Sequence, residues 1–177
     1  MTQPEIDSVH ALLLDRNDWV PNNPRLPVLI YSKAVVIRDE DPASEFEKTF
    51  AENGWPPQWR ADIYDYHHYH TQGHEVLGIA IGEARLMIGG PDGQILRVSA
   101  GDVLLLPAGT GHCCLRASDV FLVVGAYPPG QHPDICRESP TEDQLQRIKT
   151  LPFPVTDPVQ GHSGALTGHW TNRSLAW

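Results

Sequence analysis

The feature that most constrains this chain is a pair of spaced signatures near its middle. The first is HxHxxxxExxxxxxG beginning at His68, and the second is GxxxxxPxGxxH ending at His112. Both lie in apolar, glycine-punctuated stretches, which predict a β scaffold that brings three imidazoles and one carboxylate together. Such a set can hold a divalent transition metal and still leave positions for substrate.

The first signature follows the alternation of a β-strand, in which successive side chains point to opposite faces. The stretch IYDYHHYH therefore places His68 and His70 on one face and His67 on the other. Tyr64 and Tyr66 share the face of the two candidate ligands. If that face lines a barrel, both imidazoles project into its interior.

Turns deliver the other two candidate ligands. Glu75 follows the bend at residues 71–73, where a hairpin returns its carboxylate to the imidazoles. His112 follows Gly109 and Gly111, which permit the sharp turn that this placement needs.

The stretches YHHYHTQGHEVLGIAIG and GDVLLLPAGTGH resemble the two motifs of the cupin superfamily, with every spacing intact. The resemblance implies an all-β fold, the cupin double-stranded β-helix (jelly-roll barrel), with short flanking helices. It also implies a metal held by His68, His70, Glu75 and His112. With WPPQWR, HEVLG and a DP-rich tail, the chain looks like the YjlB-type single-domain cupins.

Two positions depart from the superfamily pattern. Asp62 stands where the first motif usually has a glycine, and Arg116 stands where an asparagine often follows the last histidine. The ligand types are compatible with Fe, Mn, Ni, Zn or Cu and do not choose among these ions. Four protein ligands leave two open positions on an octahedral ion.

Catalytic candidates beyond the ligands are His74 and Tyr66. His74 precedes Glu75 and could replace a ligand or move protons near neutral pH. Tyr66 could donate a hydrogen bond to substrate, although core packing is an equally good interpretation. For Cys113 and Cys114 we expect the role of small buried hydrophobic residues.

The charge balance argues against nucleic acid and membrane surfaces as partners. The 177 residues carry a net charge of −9, and the 13 lysines and arginines form no run. The three cysteines form no CxxC pair, and the N-terminal residues lack the basic start of a secretory signal. We therefore expect a cytoplasmic protein that binds a small molecule.

One domain is expected over residues 1–177. An N-terminal arm with one helix, opening at Pro42 and stopping at Gly54, takes up residues 1–59. The core barrel spans about residues 60–127, with strands predicted at 63–70, 75–90, 94–101, 102–109, 112–115 and 121–127. A helix within residues 139–150, with Ser139 or Thr141 as its cap, and a tail that wraps the barrel or a neighbouring subunit complete residues 128–177. Because the arms could cover sheet edges between two copies, we expect a homodimer.

Two functions agree with these features. The first is a metal-dependent enzyme, a dioxygenase, decarboxylase or isomerase, that acts on a small oxygenated metabolite. The alternative is a non-catalytic cupin that binds or senses a metabolite or a metal. An open cavity that reaches the metal favours the enzyme, and a plugged apolar one favours the alternative.

Overall fold

The computed structural model describes residues 9–38 and 40–171 of the chain. The described residues form nine β-strands and three short α-helices. The strands β1 to β9 are Val9–Leu12, Val28–Tyr31, Pro57–Ala61, Glu75–Ile81, Glu83–Ile88, Gln94–Ser99, Val103–Leu106, His112–Ala117 and Leu122–Ala126. The helices α1 to α3 are Pro42–Glu52, Glu142–Thr150 and Ala165–His169.

The strands form two antiparallel sheets that face each other. The larger sheet has the order β1-β2-β7-β4-β9-β3, and the smaller has the order β6-β5-β8. Alternation divides β7 between two cores: Val103 and Leu105 join the core outside the large sheet, whereas Leu104 and Leu106 join the core between the sheets. This architecture confirms the all-β cupin jelly-roll prediction.

Gly82 is the point at which the chain passes from one sheet to the other. Its φ is +84°, and a Cβ at this position would overlap the carbonyl oxygen of Val120. The single strand predicted over residues 75–90 is therefore wrong. It divides at Gly82 into β4 and β5, which belong to different sheets.

The two predicted helices are present and have the expected ends. Helix α1 starts at Pro42, and its aromatic pair, Phe46 and Phe50, is fully buried against the large sheet. Helix α2 has Thr141 as its N-cap, with a reciprocal capping box to Gln144. The residues that predicted the starts of these helices therefore occupy the starts of the observed helices.

The C-terminal tail packs on the large sheet of its own chain. The carboxyl group of Asp157 accepts hydrogen bonds from the Tyr31 hydroxyl at 2.6 Å and from the backbone N–H groups of residues 159, 160 and 166 at 2.8–2.9 Å. Trp170 is buried and donates from Nε1 to the carbonyl of Pro27 at 2.9 Å. The tail thus packs on the barrel of its own chain, which is one of the two arrangements that the sequence predicted. Residues 1–8 and 172–177, the outer ends of both predicted arms, lie outside the described residues.

Over residues 9–38 and 40–171, the helices are too short and too polar for any of them to cross a bilayer.

Candidate metal centre

The segment that carries His68 and His70 is not the strand that the alternation predicted. Residues 63–70 bend at positions 65 and 66, and isolated bridges and single backbone hydrogen bonds, not a continuous ladder, join them to other elements. His68 exchanges both backbone hydrogen bonds with His112, at 3.2 and 3.0 Å, whereas Tyr69 pairs with Cys136. Adjacent residues thus have partners on different elements, and the bridge from His68 to His112 ties the two signatures together.

Three imidazoles converge where the signatures meet. His68, His70 and His112 each offer a ring nitrogen, and these atoms all lie within 4.8 Å of one another. The ring centroids of His68 and His112 are 4.1 Å apart, and that of His70 is 5.3 Å from each. The side chains are buried, with 2–7% of each residue exposed. The structure therefore brings together the three histidines that the spacing singled out.

Each imidazole is oriented by a backbone carbonyl at its Nδ1. His68 contacts the carbonyl of Tyr66 and His112 that of Thr110, both at 3.0 Å, and His70 contacts that of Asp134. A carbonyl only accepts hydrogen bonds, so each Nδ1 carries the proton. In the neutral ring, Nε2 then presents its lone pair, which is the arrangement that metal-binding histidines use.

Glu75 completes the cluster from β4. Its Oε2 lies 3.3 Å from Nε2 of His70 and 3.2 Å from Nε2 of His112. Its Oε1 accepts from the Tyr127 hydroxyl at 3.2 Å, and Trp59 donates from Nε1 to the oxygen of Tyr127 at 2.6 Å. This chain of hydrogen bonds turns the second carboxylate oxygen toward the imidazoles.

Two buried acceptor atoms of the cluster face each other, an arrangement that suits a bound cation. With the rings neutral, Nε2 of His70 and Oε2 of Glu75 lie 3.3 Å apart, and neither atom meets a hydrogen-bond donor in the described structure. Buried acceptors without a partner cost about 1–3 kcal/mol each, so their retention needs an explanation. A positive ion between imidazole lone pairs and a carboxylate would satisfy both atoms. The residues present therefore fit a divalent transition metal.

The protonation of the cluster also suits metal binding. Burial, followed by the neighbouring charge of His112, lowers the pKa of His68 to about 3, so this ring is neutral near pH 7. Burial disfavours the charged form of Glu75, but His70 and His112 outweigh it and hold the pKa of the carboxyl below its usual range. Burial likewise opposes protonation of His70, but the charge of Glu75 outweighs it and raises the pKa of His70. Metal and proton therefore compete at His70.

A segment after β9 holds the first motif in place, and no motif or periodicity predicted this contact. The Asp134 carboxylate accepts from the backbone N–H groups of Thr71 and Gln72 at 2.6 and 3.1 Å and from the Thr71 hydroxyl at 2.6 Å. Arg147 of α2 donates to the same hydroxyl at 3.0 Å. Because the carbonyl of Asp134 also orients His70, this residue fixes both the ring and the bend that follows it.

A cavity of about 300 Å³ reaches the cluster. Its rim includes Tyr64 and Ile135, each with 49% of its surface exposed, so the cavity opens to solvent there. The lining consists of the four candidate ligands and of aromatic, apolar and acidic side chains. These others are Trp59, Ala61, Asp62, Ile63, Tyr64, Leu77, Tyr127, Pro133 and Ile135.

His74, one of the two predicted catalytic candidates, lies away from this cavity. It is fully buried, and its Nδ1 accepts from the backbone N–H of Ala108 at 2.9 Å. The ring centroid lies 5.0 Å from that of Trp170 and 6.0 Å from that of Phe153. Its neighbours are thus side chains of the C-terminal tail, and it is absent from the cavity lining. The geometry supports a packing role for His74.

Tyr66 lies beside the cluster but outside the cavity wall. Its carbonyl orients His68, and its ring stacks on that of Tyr64 at 4.8 Å. The guanidinium of Arg137 lies 3.9 Å from the ring centroid of Tyr66. Of the two predicted tyrosines, Tyr64 is the one that lines the cavity.

The neighbouring His67 and the two adjacent cysteines lie outside the cluster. His67 is half-buried and is not one of the three clustered imidazoles. Cys113 is buried and Cys114 packs against the core between the sheets. Burial raises the pKa of both thiols, which therefore stay protonated near neutral pH.

The buried His74 makes the stability of the fold depend on pH. Burial lowers its pKa from 6.5 to about 4. Below pH 6.5 the unfolded chain binds a proton at this residue that the folded chain does not, so stability is lost as the pH falls toward 4. We expect chelator-treated protein to lose about 2–3 kcal/mol from this residue between about pH 7 and pH 4.5, measured by urea unfolding. His74→Gln should flatten this dependence and His10→Gln, at an exposed site, should not; equal slopes in the two variants would contradict the assignment.

Comparison with known proteins gives one close relative. The uncharacterised protein YjlB of Bacillus subtilis is 35% identical over 153 residues, which cover 85% of this chain and 90% of YjlB. No family model matches the chain. Because it covers 85% of the chain, the match to YjlB includes both signatures.

Solved structures resemble the chain more distantly. Procruciferin, an 11S globulin from Brassica napus, matches 72% of this chain at 14% identity with a TM-score of 0.36. An oxalate decarboxylase mutant from Bacillus subtilis matches 71% at 19% identity with a TM-score of 0.34. A DUF861 family protein from Thermotoga maritima matches 49% at 20% identity with a TM-score of 0.31. The chain spans about a quarter of the length of the first two proteins, with 26% and 25% covered.

Proposed function

Because this chain belongs to the family of YjlB, a family of single-domain cupins, we propose that it is a metal-dependent enzyme acting on a small oxygenated metabolite. The proposed ligands of its divalent transition metal are His68, His70, Glu75 and His112. The reaction classes that this ligand set serves are dioxygenation, decarboxylation and isomerisation.

The observation that carries the proposal is the pair of buried acceptors without partners, Nε2 of His70 and Oε2 of Glu75. Three carbonyls direct three imidazoles to the same point, and Tyr127 directs the carboxylate there. A bound ion would polarise a substrate oxygen or exchange electrons with it. The residues of the chain hold the donor atoms in position before substrate arrives.

The cavity wall indicates which substrates fit. Among the described residues that line it there is no lysine or arginine, whereas Asp62 contributes a carboxylate beyond that of Glu75. A small dianion such as oxalate would meet no positive side chain there. The apolar and aromatic walls of Trp59, Ile63 and Leu77 suit a neutral molecule with an apolar part. We therefore propose a neutral, oxygen-chelating substrate of the β-diketone kind.

Elemental analysis of protein purified without chelators, followed by assays on the metal-loaded protein, tests this function. We expect about one transition-metal ion per chain, and binding or turnover of a neutral diketone in preference to oxalate. The fluorescence of Trp59, which lines the cavity, offers a binding signal independent of turnover. Preference for oxalate would overturn the substrate class, and absence of metal uptake would overturn the centre itself.

The open cavity also separates the enzyme from the alternative, a metabolite- or metal-binding sensor. An opening to solvent that reaches the cluster is what substrate exchange requires, and it favours the enzyme. Diketone binding without turnover by any metal-loaded form would instead support the sensor. The homodimer and the cytoplasmic location stay predictions.

A further inference from the structure

Three arginines form a row across the outer face of the small sheet. Arg85, on the central strand β5, is in register with Arg97 on β6 and with Arg116 on β8. Its neighbours on β5, Ala84 and Leu86, are buried between the sheets, so the arginine points outward. All three arginines are exposed. Their Cβ atoms are expected to be about 4.5–5.5 Å apart in neighbouring pairs.

This row is costly in the isolated chain. Like charges directly opposite each other on neighbouring strands destabilise a sheet. Other arginines of this acidic protein have clear partners: Arg60 lies 2.6 Å from Glu47 and 2.9 Å from Asp41. In the part of the chain that the structure describes, the guanidinium groups of the three arginines make no salt bridge and no hydrogen bond. Three of the 13 lysines and arginines are thus kept together without a counter-charge in contact.

The row borders a cavity of about 350 Å³, which is lined near Glu83 at the start of β5, whereas Ile88 at the other end of this strand pairs with His112. Its lining includes the hydroxyl-bearing Ser118 and two carboxylates, Glu83 and Asp119. The Ser118 hydroxyl is already used, since it accepts from the N–H of Glu83 and donates to the carbonyl of Val120. Both carboxylates lie outside ion-pair distance of the row. Three guanidiniums therefore remain to bind an anion.

We propose that the arginine row is a second binding site, which takes the diphosphate group of a small molecule. Guanidinium groups present planar pairs of donors that match phosphate oxygens, and a diphosphate offers enough charge to engage all three. The cavity is large enough for a diphosphate with an organic substituent. The net charge of −9 disfavours a nucleic-acid chain as the ligand.

Calorimetric titration of chelator-treated protein with pyrophosphate tests the site. The chelator removes metal from the histidine cluster, so pyrophosphate cannot bind to a metal ion at that cluster. We expect saturable binding of one pyrophosphate per chain, which weakens as salt is added. Arg85→Gln should weaken it at least tenfold, and Arg97→Gln should do the same. Arg38→Gln, which removes an exposed arginine outside the row, is the matched control and should leave the affinity unchanged. A parallel titration with a nucleoside diphosphate shows which form of the group is bound. A site for a diphosphate ester binds it more tightly than pyrophosphate, and a site for the free anion binds pyrophosphate more tightly.

The melting temperature without ligand reports on the row independently. Arg85→Gln removes both like-charge contacts, so the unliganded variant should melt no lower than the wild type. Pyrophosphate should then raise the melting temperature of the wild type but not that of the variant. Absence of saturable binding near physiological salt, or equal weakening by Arg38→Gln, would overturn the proposal.

Discussion

Metal content is expected to fall from about one ion per chain to a small fraction of that when His112 is replaced by alanine. The substitution removes one of three converging imidazoles and leaves Oε2 of Glu75 with His70 as its remaining contact in the cluster. Changes to residues that merely orient a ligand cost about 10–100-fold in affinity, so loss of a ligand itself should cost at least on the order of 100-fold. Elemental analysis after dialysis against a defined metal buffer measures the effect.

His67→Ala is the matched control for this experiment. His67 is an imidazole of the same segment, next to His68, but it lies outside the cluster. Its loss should leave the metal content unchanged. Because the backbone of His112, and not its side chain, pairs with His68, the strand pairing should persist in His112→Ala and circular dichroism should be unaltered. Full metal content in that variant would refute the proposed ligand set.

Asp157→Ala is expected to cost the largest share of stability among substitutions in the tail. The carboxyl group of Asp157 is fully buried and accepts four hydrogen bonds, from Tyr31 and from the backbone N–H groups of Val159, Gln160 and Leu166. Alanine would leave the buried donors of Tyr31 and Leu166, and two partly buried N–H groups, without this acceptor. A loss on the order of 4 kcal/mol follows, which lowers the melting temperature by roughly 10 °C in a chain of this size. Calorimetry or urea unfolding measures it.

Two further variants divide this loss into its parts. Tyr31→Phe removes one of the four hydrogen bonds and should cost about 1–2 kcal/mol. Asp157→Asn keeps one acceptor oxygen for Val159 and Gln160 and should fall between the two. If Asp157→Ala is no worse than Tyr31→Phe, the tail is held by its apolar contacts and not by the carboxyl group.

The cluster could be predicted from sequence because its information is local. The signature spacings identified three histidines that the structure brings together, and the turn glycines accounted for the approach of His112. The predicted strand at 63–70 failed for a physical reason. The chain bends at residues 65 and 66, so the pairs His68–His112 and Tyr69–Cys136 remain isolated bridges and do not extend into ladders. The face assignment held at His68 and His70 even though the strand did not.

The residues that orient the cluster could not be predicted in this way. Tyr127 meets Glu75 because β4 pairs with β9, with Val76 opposite Ala126. Trp59 reaches Tyr127 because β3 lies on the other side of β9. Asp134 comes 64 residues after His70, on a segment without regular structure. Such contacts depend on strand order and on the path of a loop, and neither of these produces a periodic pattern of residues in the sequence.

The position of Asp134 in the chain has a consequence for how the protein matures. A ribosome releases the chain from its N-terminus, so the candidate ligands, the last at His112, emerge before Asp134 and Arg147. Until those two residues follow, His70 lacks the carbonyl that orients it, and the bend at Thr71 lacks the side chains that hold it. The affinity of the nascent barrel for a metal ion would therefore be low, and it would rise once residues 134 and 147 have been synthesised and have folded onto the first motif.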